Sequence, residues 1–336
     1  MTESTRIVLA ARPVGAPTPA NFRTETYRLP ETAEGQVLLR TRYLSLDPYM
    51  RGRMSAAKSY AQPVAIGEVM VGQTVSEVLE SRAAGYAKGD VVLAQSGWQT
   101  HQVTAAAGLR TLDPDIAPVS TALGVLGMPG FTAYSGLLKI GRPKAGETLV
   151  VAAATGPVGS VVGQLAKREG LEVVGIAGGP QKVAYLRELG FDAAIDHRAP
   201  DFAAQLAAAV PDGIDIYFEN VGGAVAQAVY PLLNNFARVP VCGLIAHYNE
   251  EGSEGADRLP AFVGRILFRS LTIRGFIQSE FVEELRPRFL REMAGWVADG
   301  TVRYREDVVT GLANAPEAFI GLLSGRNFGK LIVRVD

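Results

Sequence analysis

The period of hydrophobic and polar positions changes near residue 125. Before it, short apolar runs such as QVLLRTRYLSL, VGQTVSEVLES and GDVVLAQSGWQTHQV are cut by glycine and proline. Runs of this length between turn signals predict strands, and their number predicts a partly closed barrel rather than a parallel sheet. Lys88, Gly89 and Asp90 fall at a tight turn into one of these strands. After the change, TLVVAAATG, LEVVGIAG, FDAAIDH, GIDIYFENVG and NFARVPVCGLIA read as strands. PVGSVVGQLAKREG, PQKVAYLRELG, APDFAAQLAAAV and AVAQAVYPLLN read as the helices between them, the second closed by Gly190. Strands that alternate with helices pair in parallel through right-handed crossovers, so an α/β fold with a doubly wound parallel sheet is predicted. FVEELRPRFLREMAGWVADG predicts an amphipathic helix ending at Gly300. The tail GLANAPEAFIGLLSGRNFGKLIVRVD predicts helix, turn and strand, which either extend that sheet or return to the first region.

Length sharpens this division, because 336 residues exceed what one hydrophobic core supports. With 33 basic and 34 acidic residues the net charge is -1, which gives no general attraction to nucleic acid or to an anionic membrane. No apolar run approaches the roughly 18 residues of a membrane span. The N-terminal MTESTRIVLAARPVGAP carries an acid and lacks the apolar core of a signal peptide, so a soluble cytoplasmic protein is expected. Cys242 as the one cysteine excludes an intramolecular disulfide framework and a thiolate zinc site. His101, His197 and His247 show no ligand spacing, which argues against a metal enzyme.

The first strand and helix of the doubly wound region enclose ATGPVG, an imperfect G-x-G-x-x-G with Ala154 at its first position. Its context is the one the motif needs. Gly156 is expected to make the sharp turn and Gly159 to let helix and strand pack closely, with pyrophosphate at the helix N-terminus. The acid that accepts the ribose hydroxyls of NAD is absent: Ala177, Gly178 and Gly179 stand there. Lys182, His197 and Arg198 follow as candidates to neutralise a 2′-phosphate, a combination that favours NADPH.

AAATGPVGSVVGQLAK, GGPQKVAYLRELGFD, YFENVGG, CGLIAHYN, LSLDPYMRGRM and NFGKLIV together resemble the zinc-independent medium-chain reductases of the prostaglandin reductase and alkenal double-bond reductase type. The resemblance runs almost end to end. It implies a GroES-like β-barrel domain over residues 1–124 and 301–336, a Rossmann domain over 125–300, and usually a homodimer. It also implies NADPH-dependent reduction of the carbon–carbon double bond of α,β-unsaturated aldehydes and ketones. By the resemblance, Thr155, Gly156, Pro157, Val158 and Gly159 meet the pyrophosphate and Lys182 the 2′-phosphate, beside Gly178 and His197. Asn220, the run Cys242, Gly243, Leu244, Ile245 to Tyr248, and Phe276, Ile277 and Gln278 line the cofactor. Met128 and Thr132 flank the nicotinamide, and Asn327 reaches the cofactor from the tail. Two positions depart from the family pattern: His197 replaces the usual Tyr and Gly179 a frequent Ser. If His197 titrates near neutrality, the phosphate grip varies with pH.

Hydride attack on the β-carbon of an enone builds negative charge on the carbonyl oxygen, which a hydroxyl can stabilise where zinc ligands are missing. Tyr248 resembles the family tyrosine beside the nicotinamide and is the candidate catalytic donor, the alternative being that it only packs on the cofactor. Tyr49 matches a family position at the substrate pocket, and Met50 and Met54 are candidate apolar walls. From composition alone LDPYMRGRM is an ordinary turn, with Asp47 a turn or cap residue. Cys242 is expected as a buried thiol, and His247 either orders its loop or faces solvent. Pocket shape depends on the loop HYNEEGSEGADRLPAF. Enal or enone reduction is favoured over quinone reduction on the same scaffold. A nucleotide-binding regulatory protein without turnover is the reading from another class.

Overall fold

A computed structural model describes residues 2–57, 59–249 and 259–335; residues 250–258, the centre of the loop just named, lie outside the described residues. The chain divides into two units. One comprises Met1–Gly124, Asn249–Glu251 and Glu306–Asp336, the other Val125–Tyr248 and Gly252–Arg305.

The first unit opens with β1 (Glu3–Leu9) paired antiparallel to β2 (Phe22–Arg28), then β3 (Gln36–Ser45), the single-turn helix α1 (Tyr49–Arg53) and β4 (Thr74–Ser81). β5 (Val91–Ala94), β6 (His101–Ala105) and the short β7 (Arg110–Thr111) follow. β3 pairs on both sides, with β4 over most of its length and with β6 near its start. The core of this unit is aromatic: Trp98, fully buried, stacks on Phe22 at 5.5 Å between ring centroids and meets Phe319 edge-on at 5.7 Å. Such pairs each add about 0.5–1.5 kcal/mol beyond the area they bury.

The second unit begins with α2 (Met128–Gly136) and then alternates β8 (Thr148–Val151), α3 (Gly159–Arg168), β9 (Glu172–Ala177), α4 (Pro180–Glu188), β10 (Ala193–Asp196), α5 (Phe202–Ala209), β11 (Ile214–Phe218), α6 (Gly223–Val229) and β12 (Leu233–Val241). α7 (Leu259–Phe268), β13 (Thr272–Gly275) and α8 (Val282–Ala298) complete it. The six strands run parallel in the order β10-β9-β8-β11-β12-β13. The order reverses between β8 and β11, the switch point where a doubly wound sheet opens a crevice at its strand ends. Val150, Val174, Ile195 and Ile216 are almost wholly enclosed, as a sheet covered on both faces requires.

The chain then returns to the first unit through β14 (Glu306–Thr310), α9 (Ala315–Leu323) and β15 (Lys330–Arg334). β15 pairs with β3, which settles the two options left open for the tail.

Candidate active site

β8 delivers its last residue into a tight turn before α3. The left-handed residue there is Ala153, φ +50°, and not Gly156, where the sequence puts the sharp turn. Gly156 has only one atom near a would-be Cβ, the Ala153 carbonyl oxygen at 3.2 Å. Gly159 is the constrained glycine, since a Cβ there would stand 2.5 Å from that oxygen and 2.8 Å from Ala154 Cα. Strand and helix can therefore approach as they do only with glycine at 159. Thr155 to Gly159 thus span the turn and the first residue of α3, where amide groups and the positive helix end favour phosphate.

At the end of β9 the two glycines form a floor bounded by cations. A Cβ on Gly178 would stand 2.8 Å from His197 Nε2 and 2.9 Å from Arg198 Nε. Gly179 is left-handed, φ +93°, and caps α4, whose first turn carries Lys182. Asp196 is the carboxylate that sequence reasoning overlooked. It accepts the amides of Gly179 at 3.0 Å and Arg198 at 2.9 Å, and the first of these bonds chiefly lowers its pKa. Burial, then the charge of Arg198, holds the His197 imidazole below its ordinary value. Its titration is thus displaced to the acid side of neutrality in the free protein.

At the switch point, side chains are spent on one another. Asn220 donates to the Ala152 carbonyl at 2.7 Å and accepts the Cys242 thiol at 2.7 Å, tying together the ends of β8, β11 and β12. Burial pushes the Cys242 thiol up to about 12, so it is a neutral donor and not a nucleophile at neutral pH. Glu219, 1% exposed, accepts the amides of Val221 and Gly222 at 2.7 and 2.9 Å. His247 Nε2 accepts the Gly223 amide at 2.9 Å, so this histidine orders its loop. Tyr248 turns its hydroxyl back over the Cys242–Leu244 turn, where it accepts the Leu244 amide at 3.4 Å and lies 3.3 Å from where a Gly243 Cβ would be. The Ile245 amide bonds the Asn220 carbonyl.

Among the remaining candidates, Thr132 gives its hydroxyl to the Met128 carbonyl one helical turn back, at 2.8 Å. Phe276 points into the core against Phe218 and Phe281, leaving only its backbone for a ligand. Ile277 is 37% exposed. Gln278 Oε1 is enclosed with no hydrogen-bond partner among the described residues, an acceptor left over for a donor from outside the chain. Asn327 belongs to the first unit, where its amide donates to the Gly329 carbonyl. The glycine without room for a Cβ, the cation-bounded floor and this orphaned acceptor fit a phosphorylated dinucleotide.

In the first unit the segment read as a turn is helix α1, and Met50 and Met54, both 0% exposed, are core residues and not pocket walls. Tyr49 packs against the edge of the same core. Asp47 does open the turn into α1, its carbonyl accepting the Met50 amide at 3.1 Å, but its side chain does more than cap: Oδ1 pairs with Lys330 Nζ at 2.6 Å, with both side chains under one-tenth exposed. Lys330 also donates to the Leu46 carbonyl at 2.9 Å, and the Ser45 hydroxyl donates to Asp47. The pair locks β15 to the residues that enter α1. No local signal reveals it, because the partners lie 283 positions apart.

Residues 5–112 match a family described as the N-terminal domain of oxidoreductase, and residues 157–295 one described as zinc-binding dehydrogenase. The NADPH-dependent curcumin reductase of Escherichia coli (strain K12) is 56% identical over 98% of this chain and 96% of its own length. Prostaglandin reductase 1 of Bos taurus is 42% identical over 96% of each chain. The chain belongs to the zinc-independent medium-chain dehydrogenase/reductase family, a family of oxidoreductases. Within this family, the crystal structure of CurA in complex with NADPH from Vibrio vulnificus superimposes with a TM-score of 0.96 at 53% identity, covering 99% of each chain. The name of the second matched domain does not carry ligands with it: among the described residues no three His, Cys, Asp or Glu gather as a metal would require.

Proposed function

We propose that this protein reduces the carbon–carbon double bond of α,β-unsaturated aldehydes and ketones with NADPH. The observation that carries the cofactor choice is the Gly178–Gly179 floor bounded by His197 and Arg198, where an NAD-specific site has an acid. The relatives named for NADPH-dependent curcumin reduction and for prostaglandin reduction support the reaction class.

NADPH supplies the hydride that the β-carbon accepts. Tyr248, held over the Cys242–Leu244 turn, donates its hydroxyl to the carbonyl oxygen as charge develops there, and solvent or a hydroxyl protonates the α-carbon. Tyr49 borders the substrate. Thr155, Gly156, Pro157, Val158 and Gly159 hold the pyrophosphate; Lys182 and His197 beside Gly178 hold the 2′-phosphate. Asn220, Cys242, Gly243, Leu244, Ile245, Phe276, Ile277, Gln278, Met128, Thr132 and Asn327 line the rest of the cofactor. Residues 1–124 and 301–336 act as the catalytic domain and 125–300 as the cofactor domain.

We take the protein to be a cytoplasmic homodimer. Its single cysteine is consistent with the compartment. α7 supports the dimer, since Val263, Leu267 and Phe268 are 51, 72 and 83% exposed on a helix without buried residues, beside the sheet-edge strand β13. Oxidation of NADPH and NADH, followed in parallel with a panel of enals, enones and quinones, tests the reading. Enal- and enone-dependent NADPH oxidation with a saturated carbonyl product is expected. Quinone turnover alone, or NADPH binding without oxidation, would overturn it.

A further inference from the structure

Asp196 ends β10 beside Ala177, its partner in the sheet, and the mechanism gives it no part. Its main-chain carbonyl accepts the Ala199 amide at 3.1 Å, closing a turn that has His197 and Arg198 as its central residues. Its side chain accepts the Arg198 amide at 2.9 Å within the same turn, the arrangement in which an aspartate bonds the backbone two residues on. The His197 amide goes to the Ala177 carbonyl at 3.0 Å, so the backbone that launches both cations is fixed at each step. Arg198 is exposed, and packing does little to aim its long side chain. Its Nε nevertheless lies 2.9 Å from where a Gly178 Cβ would be.

The second amide on Asp196 comes from the floor itself. Gly179, left-handed at φ +93°, caps α4, and its amide reaches Asp196 at 3.0 Å. Both amides go to one oxygen, Oδ1, which joins the floor to the cation-bearing turn across 17 positions of sequence. By charge alone a carboxylate is unfavourable beside a phosphate site, because it repels the anion. What this one supplies is geometry: without Oδ1 two amides lose their acceptor, and nothing ties the Gly179 amide to the turn. The side-chain oxygen of an asparagine also has two lone pairs and can take both amides, so the acceptor and the charge can be separated by substitution.

We propose that Asp196 is a positioning residue for cofactor selection: through Oδ1 it holds His197 and Arg198 against the Gly178–Gly179 floor in the placement that admits a 2′-phosphate, acting as an acceptor and not as a charge. This rests on the NADPH reading given under the proposed function. The test is a fluorescence titration of the full chain with NADPH and with NADH, which needs no enone to be reduced. Asp196→Asn keeps the acceptor and drops the charge, and its preference for NADPH should fall by no more than about threefold. Asp196→Glu keeps the charge but shifts the oxygens by one methylene; it should weaken NADPH by about tenfold or more and leave NADH within about twofold. A Glu variant with the wild-type preference, or an Asn variant that loses it, would make charge the operative property and overturn the proposal. Variants that weaken both cofactors equally would overturn it too, since that is the mark of a merely structural role. A wild type that binds NADH as tightly as NADPH defeats the cofactor reading and the proposal together, whereas the expected binding pattern without turnover of any enone defeats the reductase reading and leaves Asp196 in its role.

Discussion

The loops at the switch point and the α1 segment handle their polar groups in opposite ways. At the switch point, Asn220, Cys242, Glu219 and His247 all bond to protein, and what remains to meet a ligand is largely backbone, glycine and one hydroxyl. Around α1, Asp47 and Lys330 saturate each other, while Arg53 Nε has no partner among the described residues. The difference teaches where specificity resides. A ligand gripped by shape and main chain needs loops held rigid, so side chains are consumed in holding them. A ligand gripped by side-chain donors needs those donors unspent, which costs stability and is tolerated only on a firm support.

The largest effect expected from breaking this contrast is at that support. Lys330→Met leaves the Asp47 carboxylate buried and unpaired and should cost about 3–5 kcal/mol in urea unfolding. Asp47→Asn with Lys330→Met should recover much of the loss, and a double variant as unstable as the single one would show that charge pairing is not what matters there. Next, Tyr248→Phe should lower kcat by about 100-fold or more while NADPH still binds; a variant with wild-type kcat removes the hydroxyl from the mechanism. Arg198→Ala and Lys182→Ala, assayed as kcat/KM for NADPH over NADH, should each reduce that preference by roughly 10- to 100-fold, the worth of a charge-assisted bond. An unchanged ratio would move the phosphate site elsewhere.

The smallest effect is a pH dependence. His197 in the free protein has its pKa lowered by burial and by Arg198, so it is largely neutral at pH 7. A bound 2′-phosphate would raise that pKa, and binding would then take up a proton. NADPH should bind a few-fold tighter as pH falls from about 8 to 6 while NADH stays flat. His197→Gln should flatten the NADPH curve in a fluorescence titration. A wild-type NADPH curve that coincides with that of His197→Gln would exclude the histidine.

Much of the doubly wound region is legible in the chain, because crossover topology is written in local periodicity. Gly190 and Gly300 close their helices with left-handed backbone, as their positions after amphipathic runs indicate. The short or edge elements were not legible. α1 spans only Tyr49–Arg53, too short to show a period, and β14 follows charged residues without clear alternation. In the turn after β8 the motif draws attention to Gly156, while the left-handed residue is Ala153. Met50 and Met54 look like flexible pocket walls in sequence, yet packing from β15 and α9 encloses them.

What the sequence by itself determined is therefore the alternation of strand and helix, the missing acid at Ala177 to Gly179, and the glycine at 159. Each is a property of neighbours along the chain, where spacing alone states the physics. Only tertiary structure decided that β15 joins β3, that Asp47 is neutralised by Lys330, and that the Arg53 Nε is enclosed with no acceptor among the described residues. Burial and pairing across hundreds of residues depend on which surfaces meet, and no local pattern encodes that meeting.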